Sequence, residues 1–170
     1  MARLNAKRLR AVLDYDPATG VFTWRVRQGP SGHNRVPEGE PAGSVWADGY
    51  RRIKIDYAAY PASRLAFLYM EGRWPVAQID HINRDRSDDR WCNLREATRH
   101  QNQGNRYNKN NALGLKGVCF EKDRGKFKAY IDMNGKTVNL GRFDTAEEAQ
   151  AAYAAAAEKY FGQFARSTEK

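Results

Sequence analysis

Apolar positions recur along this chain with two different periods, and each change of period marks a change of element. Leu9, Val12 and Leu13 share one side of a helical projection while Lys7, Arg8 and Arg10 lie largely on the other, so a short helix capped by Asn5 is predicted over Ala6 to Leu13. Asp16-Pro17-Ala18-Thr19-Gly20 reads as a turn, and Val21 to Val26 then alternates as a strand. Gln28 to Gly43 is rich in Gly and Pro and predicts a surface loop. Trp46 to Ile55 with Ala58 to Pro61 suggests a hairpin, and Ala62 to Met70 a helix ended by Gly72 and Pro75. The apolar run Val76 to Ile79 predicts a strand that stops at Asp80-His81. The charged stretch Asn83 to Arg90 is its loop, and Leu94 to Ala97 can return antiparallel. Thr98-Arg99-His100-Gln101 has capping-box spacing, which starts a helix with Asn102 in its first turns.

Beyond that point the pattern lapses and then resumes. Residues 103–114 are polar, Asn-rich and without apolar period, and read as a linker in which Arg106 and Lys109 could track a phosphate backbone; a solvated tether is the plainer alternative. Lys116 to Phe120, Phe127 to Met133 and Lys136 to Leu140 are strand-like, the last two joined by Asn134-Gly135, a strong hairpin signal. Thr145-Ala146-Glu147-Glu148 is a capping box for a helix running to Tyr160 or Phe161, with Gly162 at its end. The expected fold class is α+β. Residues 1–102 form one domain, 103–114 the linker, and 115–170 a three-stranded antiparallel sheet packed on one helix.

Charge adds a partner to this picture. The 170 residues carry a formal net charge of +9, which favours a polyanion, either nucleic acid or a membrane surface. No apolar run reaches the ~20 residues of a spanning helix, and the basic start lacks a secretory apolar stretch, so no membrane and a cytoplasmic location are expected. Cys92 and Cys119 form no Cys-x-x-Cys pair, which excludes a four-Cys zinc site within the chain; both read as small packing residues. In the C-terminal module Phe127, Ala129 and Ile131 alternate towards the helix, leaving Lys128, Tyr130 and Asp132 on the open face. There Lys116, Lys122, Arg124, Lys126, Lys128, Lys136 and Arg142 outnumber Glu121, Asp123 and Asp132. Such a face suits a DNA major groove; a merely soluble face would not need so lopsided a sign.

The densest polar chemistry lies in Asp80-His81, Asn93-Leu94 and Asn102. Neighbouring strand residues point to opposite faces, so Asp80 and His81 can serve one substrate only where the strand is ending. A lone Asp-His pair is more often a surface hydrogen bond. The full spacing Asp-His-(x)11-Asn-Leu-(x)7-Asn, with Tyr50-Arg51-Arg52-Ile53 and Arg64-Leu65-Ala66-Phe67 upstream, resembles the ββα-metal motif of HNH endonucleases, especially the phage-type homing enzymes. The resemblance implies that His81 is the general base, that Asp80 and Asn102 hold a divalent cation, and that Asn93 braces the hairpin loop. His100 is a rival ligand. It lies two residues from Asn102 and would face another way on a helix, so it is read as a phosphate contact. Ser63 stands where relatives often carry His. Asp85, Asp88 and Asp89 read as a solvated loop, with Asp88 or Asp89 able to tie down the turn.

The implied roles agree with elementary chemistry. A His of ordinary pKa near ~6.5 can deprotonate water at neutral pH, and oxygen ligands suit Mg²⁺ or Mn²⁺. The second resemblance rests on Lys116-Gly117-Val118, Gly125-Lys126-Phe127, Leu140-Gly141-Arg142-Phe143-Asp144-Thr145 and Ala152-Tyr153, which is similar to the DNA-binding domain of plant ethylene-response factors. It implies the fold and a sheet lying in the major groove; the open face read from alternation, with Arg124, Lys126, Lys128, Tyr130, Lys136 and Arg142, is then the one expected to meet DNA. That family's base-reading positions are not matched, for Cys119, Glu121, Tyr130, Asp132, Thr137 and Asn139 stand at or near them, so no target sequence is carried over. The combined expectation is a metal-dependent endonuclease on double-stranded DNA, nicking one strand per active site, monomeric or a homodimer. The alternative is a catalytically silent DNA-binding or regulatory protein derived from such a nuclease.

Overall fold

The computed structural model describes residues 4–25, 38–99, 101–102, 113–133 and 135–165. Arg106, Lys109, His100 and most of the expected linker lie outside them. The chain divides into two compact units, Met1–Glu96 and Ala97–Lys170. Helices and small antiparallel sheets occur in both, which is the expected α+β class.

In the first unit α1 (Ala6–Val12) starts where the Asn5 side chain accepts the Arg8 amide at 2.9 Å, and it buries Leu9 and Val12. The chain then leaves the helix a residue earlier than expected. Leu13 and Tyr15 turn inward and Asp14 and Asp16 outward, forming β1 (Leu13–Asp16) against β2 (Val21–Trp24). Asp16 holds the connecting turn by accepting from the Ala18 amide and the Thr19 hydroxyl. The expected surface loop is also corrected at its end: Ala42 is buried and donates its amide to the Phe22 carbonyl, so 39–42 runs beside β2.

A three-stranded sheet follows, with β3 (Ser44–Val45), β4 (Arg51–Ile55) and β5 (Ala58–Pro61) in that order. Trp46 falls in the exposed β3–β4 turn rather than in a strand, because only Ile53 and Ile55 of this region find a core. Helix α2 (Ala62–Glu71) buries Leu65, Phe67 and Leu68 over these sheets and stops at Gly72, whose φ of 74° is the left-handed cap. Burial of each such side chain contributes roughly 1.5–3 kcal/mol.

The last two strands of the unit are β6 (Gln78–His81) and β7 (Leu94–Ala97), paired as a hairpin. The run Val76 to Ile79 is not the strand the apolar pattern predicts. Val76 is 91% exposed and its amide is held by the Glu96 carboxylate at 2.7 Å; the strand begins at Gln78, and of the run Ile79 packs on the core. Pro75 and Ala77 carbonyls accept from Arg64, which binds α2 to the entry of β6.

In the second unit the Thr98 amide donates to the Gln101 side chain and the Gln101 amide to the Thr98 hydroxyl, the reciprocal pair of a capping box. Strands β8 (Val118–Glu121), β9 (Lys126–Met133) and β10 (Lys136–Phe143) form one antiparallel sheet with β9 central. Helix α3 (Ala146–Phe161) opens with the Thr145–Glu148 capping box. Its Ala149, Tyr153, Ala157 and Phe161 close over Val118, Ala129 and Ile131. Gly117 admits this packing: at φ 68°, a Cβ there would meet the Tyr153 ring at 2.2 Å.

Candidate active site

Asp80 and His81 end β6 with both side chains buried, each only 4% exposed. Strand alternation gives them different neighbours. Arg95, on the returning strand β7, donates to Asp80 Oδ2 from Nε at 2.8 Å and approaches it with its terminal nitrogen at 2.7 Å. His81 Nε2 lies 3.1 Å from Asp89 Oδ1, and the Tyr50 ring packs beside the imidazole at 5.9 Å between centroids.

Between the strands, Asn93 acts as a hub. Its Oδ1 accepts the Asn83 amide at 2.9 Å, while its Nδ2 donates to Asn83 Oδ1 at 3.0 Å and to the Asp88 carbonyl at 2.8 Å. Its own carbonyl accepts the Ile82 amide. One carboxamide thus holds both ends of the loop. Asp88 tightens it by accepting from Asn83 and Arg90, and these bonds, Arg90 first, hold its carboxyl down at about 2.

Asp89 is not the solvated loop residue its setting suggests. It is 2% exposed, because the β1–β2 hairpin is built against its backbone. Tyr15 donates its hydroxyl to the Asp89 carbonyl at 2.7 Å, the Trp91 amide donates to the Pro17 carbonyl at 3.0 Å, and Gly20 presses on the Asp89–Arg90 peptide. Burial pushes the Asp89 carboxyl above the usual range, while His81 and the charge of Arg51 pull it back. Asp89 Oδ2 is buried without a hydrogen-bond partner among the described residues. Sequence reasoning missed Asp89 and Arg95 as partners of the pair; Arg95, two residues beyond Asn93 in the returning strand, was the more legible of the two.

Asn102 belongs to the second unit, where its amide donates to the Thr98 carbonyl; Asp80, His81 and Asn93 belong to the first. Among the described residues no group of three or more His, Cys, Asp or Glu side chains could hold a metal ion. Taken singly, the Asp80 carboxylate and the Asn102 carboxamide are hard oxygen donors, the chemistry that a divalent cation such as Mg²⁺ takes.

On the sheet of the second unit, register sets Lys128 opposite both Cys119 and Arg142, and Tyr130 opposite Asn139. Glu121 lies among the basic residues: Arg142 donates to it at 2.7 Å, and Arg124 and Lys128 each stand at 3.9 Å. These bonds, Arg142 first, lower the Glu121 carboxyl. Lys126 pairs with Asp144, Lys136 is exposed and Lys116 half-buried. Cys92 is exposed, not packed, whereas Cys119 is half-buried; both are free thiols. No described helix is long and apolar enough to cross a membrane.

Residues 60–103 match the model of the family described as HNH endonuclease. That stretch is similar to HNH endonucleases, and it contains Asp80, His81, Asp89, Asn93, Arg95 and Asn102. An uncharacterized HNH endonuclease of Acanthamoeba polyphaga mimivirus is 32% identical over 99 residues, 58% of this chain and 51% of the relative. The chain thus spans about half the length of that relative. No solved structure matches.

Proposed function

We propose that this protein is a divalent-metal-dependent DNA endonuclease in which His81 is the general base, Asp80 and Asn102 are the cation's protein ligands, and Asn93 braces the loop between them. The observation that carries this reading is the buried His81 at the end of β6, its ring held by Asp89 and its loop pinned by Asn93, within the stretch that matches HNH endonucleases. His81 removes a proton from water, and the resulting hydroxide attacks phosphorus. The P–O3′ bond breaks, the 3′ oxygen leaves with the electron pair, and solvent supplies its proton. A bound Mg²⁺ or Mn²⁺ would supply positive charge at the scissile phosphate.

The same reading gives the C-terminal sheet a docking role on duplex DNA, with Lys116, Arg124, Lys126, Lys128, Tyr130, Lys136 and Arg142 facing the phosphates or groove and Arg106 and Lys109 following the backbone towards the cut. One active site per chain nicks one strand, and a homodimer would cut both. Plasmid relaxation with Mg²⁺ tests the core of it. Wild type nicks, and His81→Ala and Asp80→Ala each lose at least ~10²-fold, the usual weight of a positioned acid or base. Equal cutting by both variants would remove the assignment.

A second reading, a silent DNA-binding protein, draws on the ion pair that Arg95 makes with Asp80, which places a cation where a metal ligand is proposed. DNA retention without nicking in Mg²⁺ or Mn²⁺ selects it.

A further inference from the structure

We infer that Asp89 is the positioning residue for His81. It accepts the Nε2–H of the neutral ring, which directs the lone pair to Nδ1, and it supplies the negative charge that faces the imidazolium once a proton has been taken. This rests on the endonuclease reading for its catalytic half and on geometry alone for its tautomeric half.

Three observations converge. First, Asp89 Oδ1 stands 3.1 Å from His81 Nε2 with both side chains 3% exposed or less, so no bulk water competes for the bond. A neutral imidazole has one donor and one acceptor nitrogen, and an ionised carboxylate can only accept. A proton on Nε2 therefore leaves Nδ1 as the basic nitrogen. Second, the fold fixes the backbone of Asp89 from a distant part of the chain. Tyr15 binds its carbonyl, Pro17 receives the neighbouring Trp91 amide, and Gly20 at φ 76° would bring a Cβ within 2.4 Å of the Arg90 nitrogen. A hairpin is thus closely fitted to a loop that Asn93 and Asp88 already hold. Third, Asp89 Oδ2 is buried without a partner among the described residues. A buried acceptor left unpaired is costly, and such costs persist where the group serves something other than stability.

The chemistry then closes. The proton that His81 takes from water comes to rest on Nδ1, the ring carries a full positive charge, and Asp89 faces that charge across the Nε2–H bond. This is the general logic of a base oriented by a buried carboxylate. Asp80 does not serve here, since it is paired with Arg95.

The test combines a spectroscopic and a kinetic measurement on the full-length chain. Long-range ¹H–¹⁵N correlation of ¹⁵N-histidine protein, recorded at alkaline pH, reads which nitrogen of His81 carries the proton, with His81→Gln assigning its signals. Wild type shows the Nε2–H form, and Asp89→Ala shifts the ring towards a mixture of tautomers. In plasmid nicking with Mg²⁺, the near-isosteric Asp89→Asn keeps the melting temperature within a few degrees. It loses at least ~10²-fold in kcat while KM for DNA holds, since the charge facing the imidazolium is gone. A wild-type ring protonated on Nδ1 overturns the proposal, as does an Asp89→Asn protein with wild-type kcat. A wild-type chain that never nicks overturns the endonuclease reading and the catalytic half with it, and the spectrum still decides whether Asp89 sets the tautomer.

Discussion

Gly20→Ala should unfasten the candidate active-site loop from a position more than sixty residues away in the chain. Gly20 sits at φ 76°, and an added Cβ would lie 2.4 Å from the Arg90 nitrogen and 2.5 Å from the Asp89 carbonyl carbon. Left-handed backbone costs a Cβ-bearing residue about 1–2 kcal/mol. Forcing a methyl into close-packed backbone costs a further ~1–3 kcal/mol, because both colliding atoms are main chain and no rotamer relieves them. The expected loss is about 2–5 kcal/mol. Gly72→Ala is the control: its φ is 74° but an added Cβ would meet nothing within 4 Å, so only the first contribution applies. Because the chain has two compact units, a single melting curve could mix two transitions. Native-state hydrogen exchange separates them. The Trp91 and Asn93 amides should exchange roughly 30- to 4 × 10³-fold faster in Gly20→Ala, at about 1.4 kcal/mol per decade, while α3 amides keep their protection. Gly20→Ala no less protected than Gly72→Ala would refute the argument that the hairpin is seated on the Asp89–Arg90 peptide.

Other expectations follow from the same geometry. Tyr15→Phe leaves the buried Asp89 carbonyl without its 2.7 Å donor and should lower stability of the first unit by about 1–3 kcal/mol in urea titration, with Tyr69→Phe, whose hydroxyl bond is longer and exposed, near neutral. Asp88 has a folded pKa of about 2, below its ordinary 3.8, so its contribution is complete above about pH 4 and is lost as pH falls towards 2. Acid titration of loop amides should show that step in wild type and not in Asp88→Asn. If the sheet docks on DNA, Glu121→Gln removes the carboxylate that Arg142, Arg124 and Lys128 surround. Duplex affinity should then rise and the slope of log K against log salt steepen by about one, and an unchanged slope would argue against that face.

Sequence alone determined the elements whose signals are local. The Asn5 cap, the Gly72 stop and the two capping boxes at Thr98 and Thr145 are each made by groups within four residues of one another, so they are legible without knowing the rest of the fold. Alternation likewise marks the inward face of β9, where Ala129 and Ile131 are buried in the clusters that α3 closes. The start of β6 was misread because Val76 is apolar yet anchored by Glu96, twenty residues on.

Only the tertiary structure decided what surrounds His81. A charged run such as Arg84 to Arg90 reads as solvated because ionised groups are costly to bury, and for Asp85 and Arg86 that reading holds. Asp89 departs from it because Tyr15, Pro17 and Gly20 cover its backbone and His81 meets its carboxylate. Pattern along a chain reports hydrogen bonds that close within a turn; whether a carboxylate is dry depends on residues seventy positions away, and that pairing exists only once the hairpin has folded onto the loop.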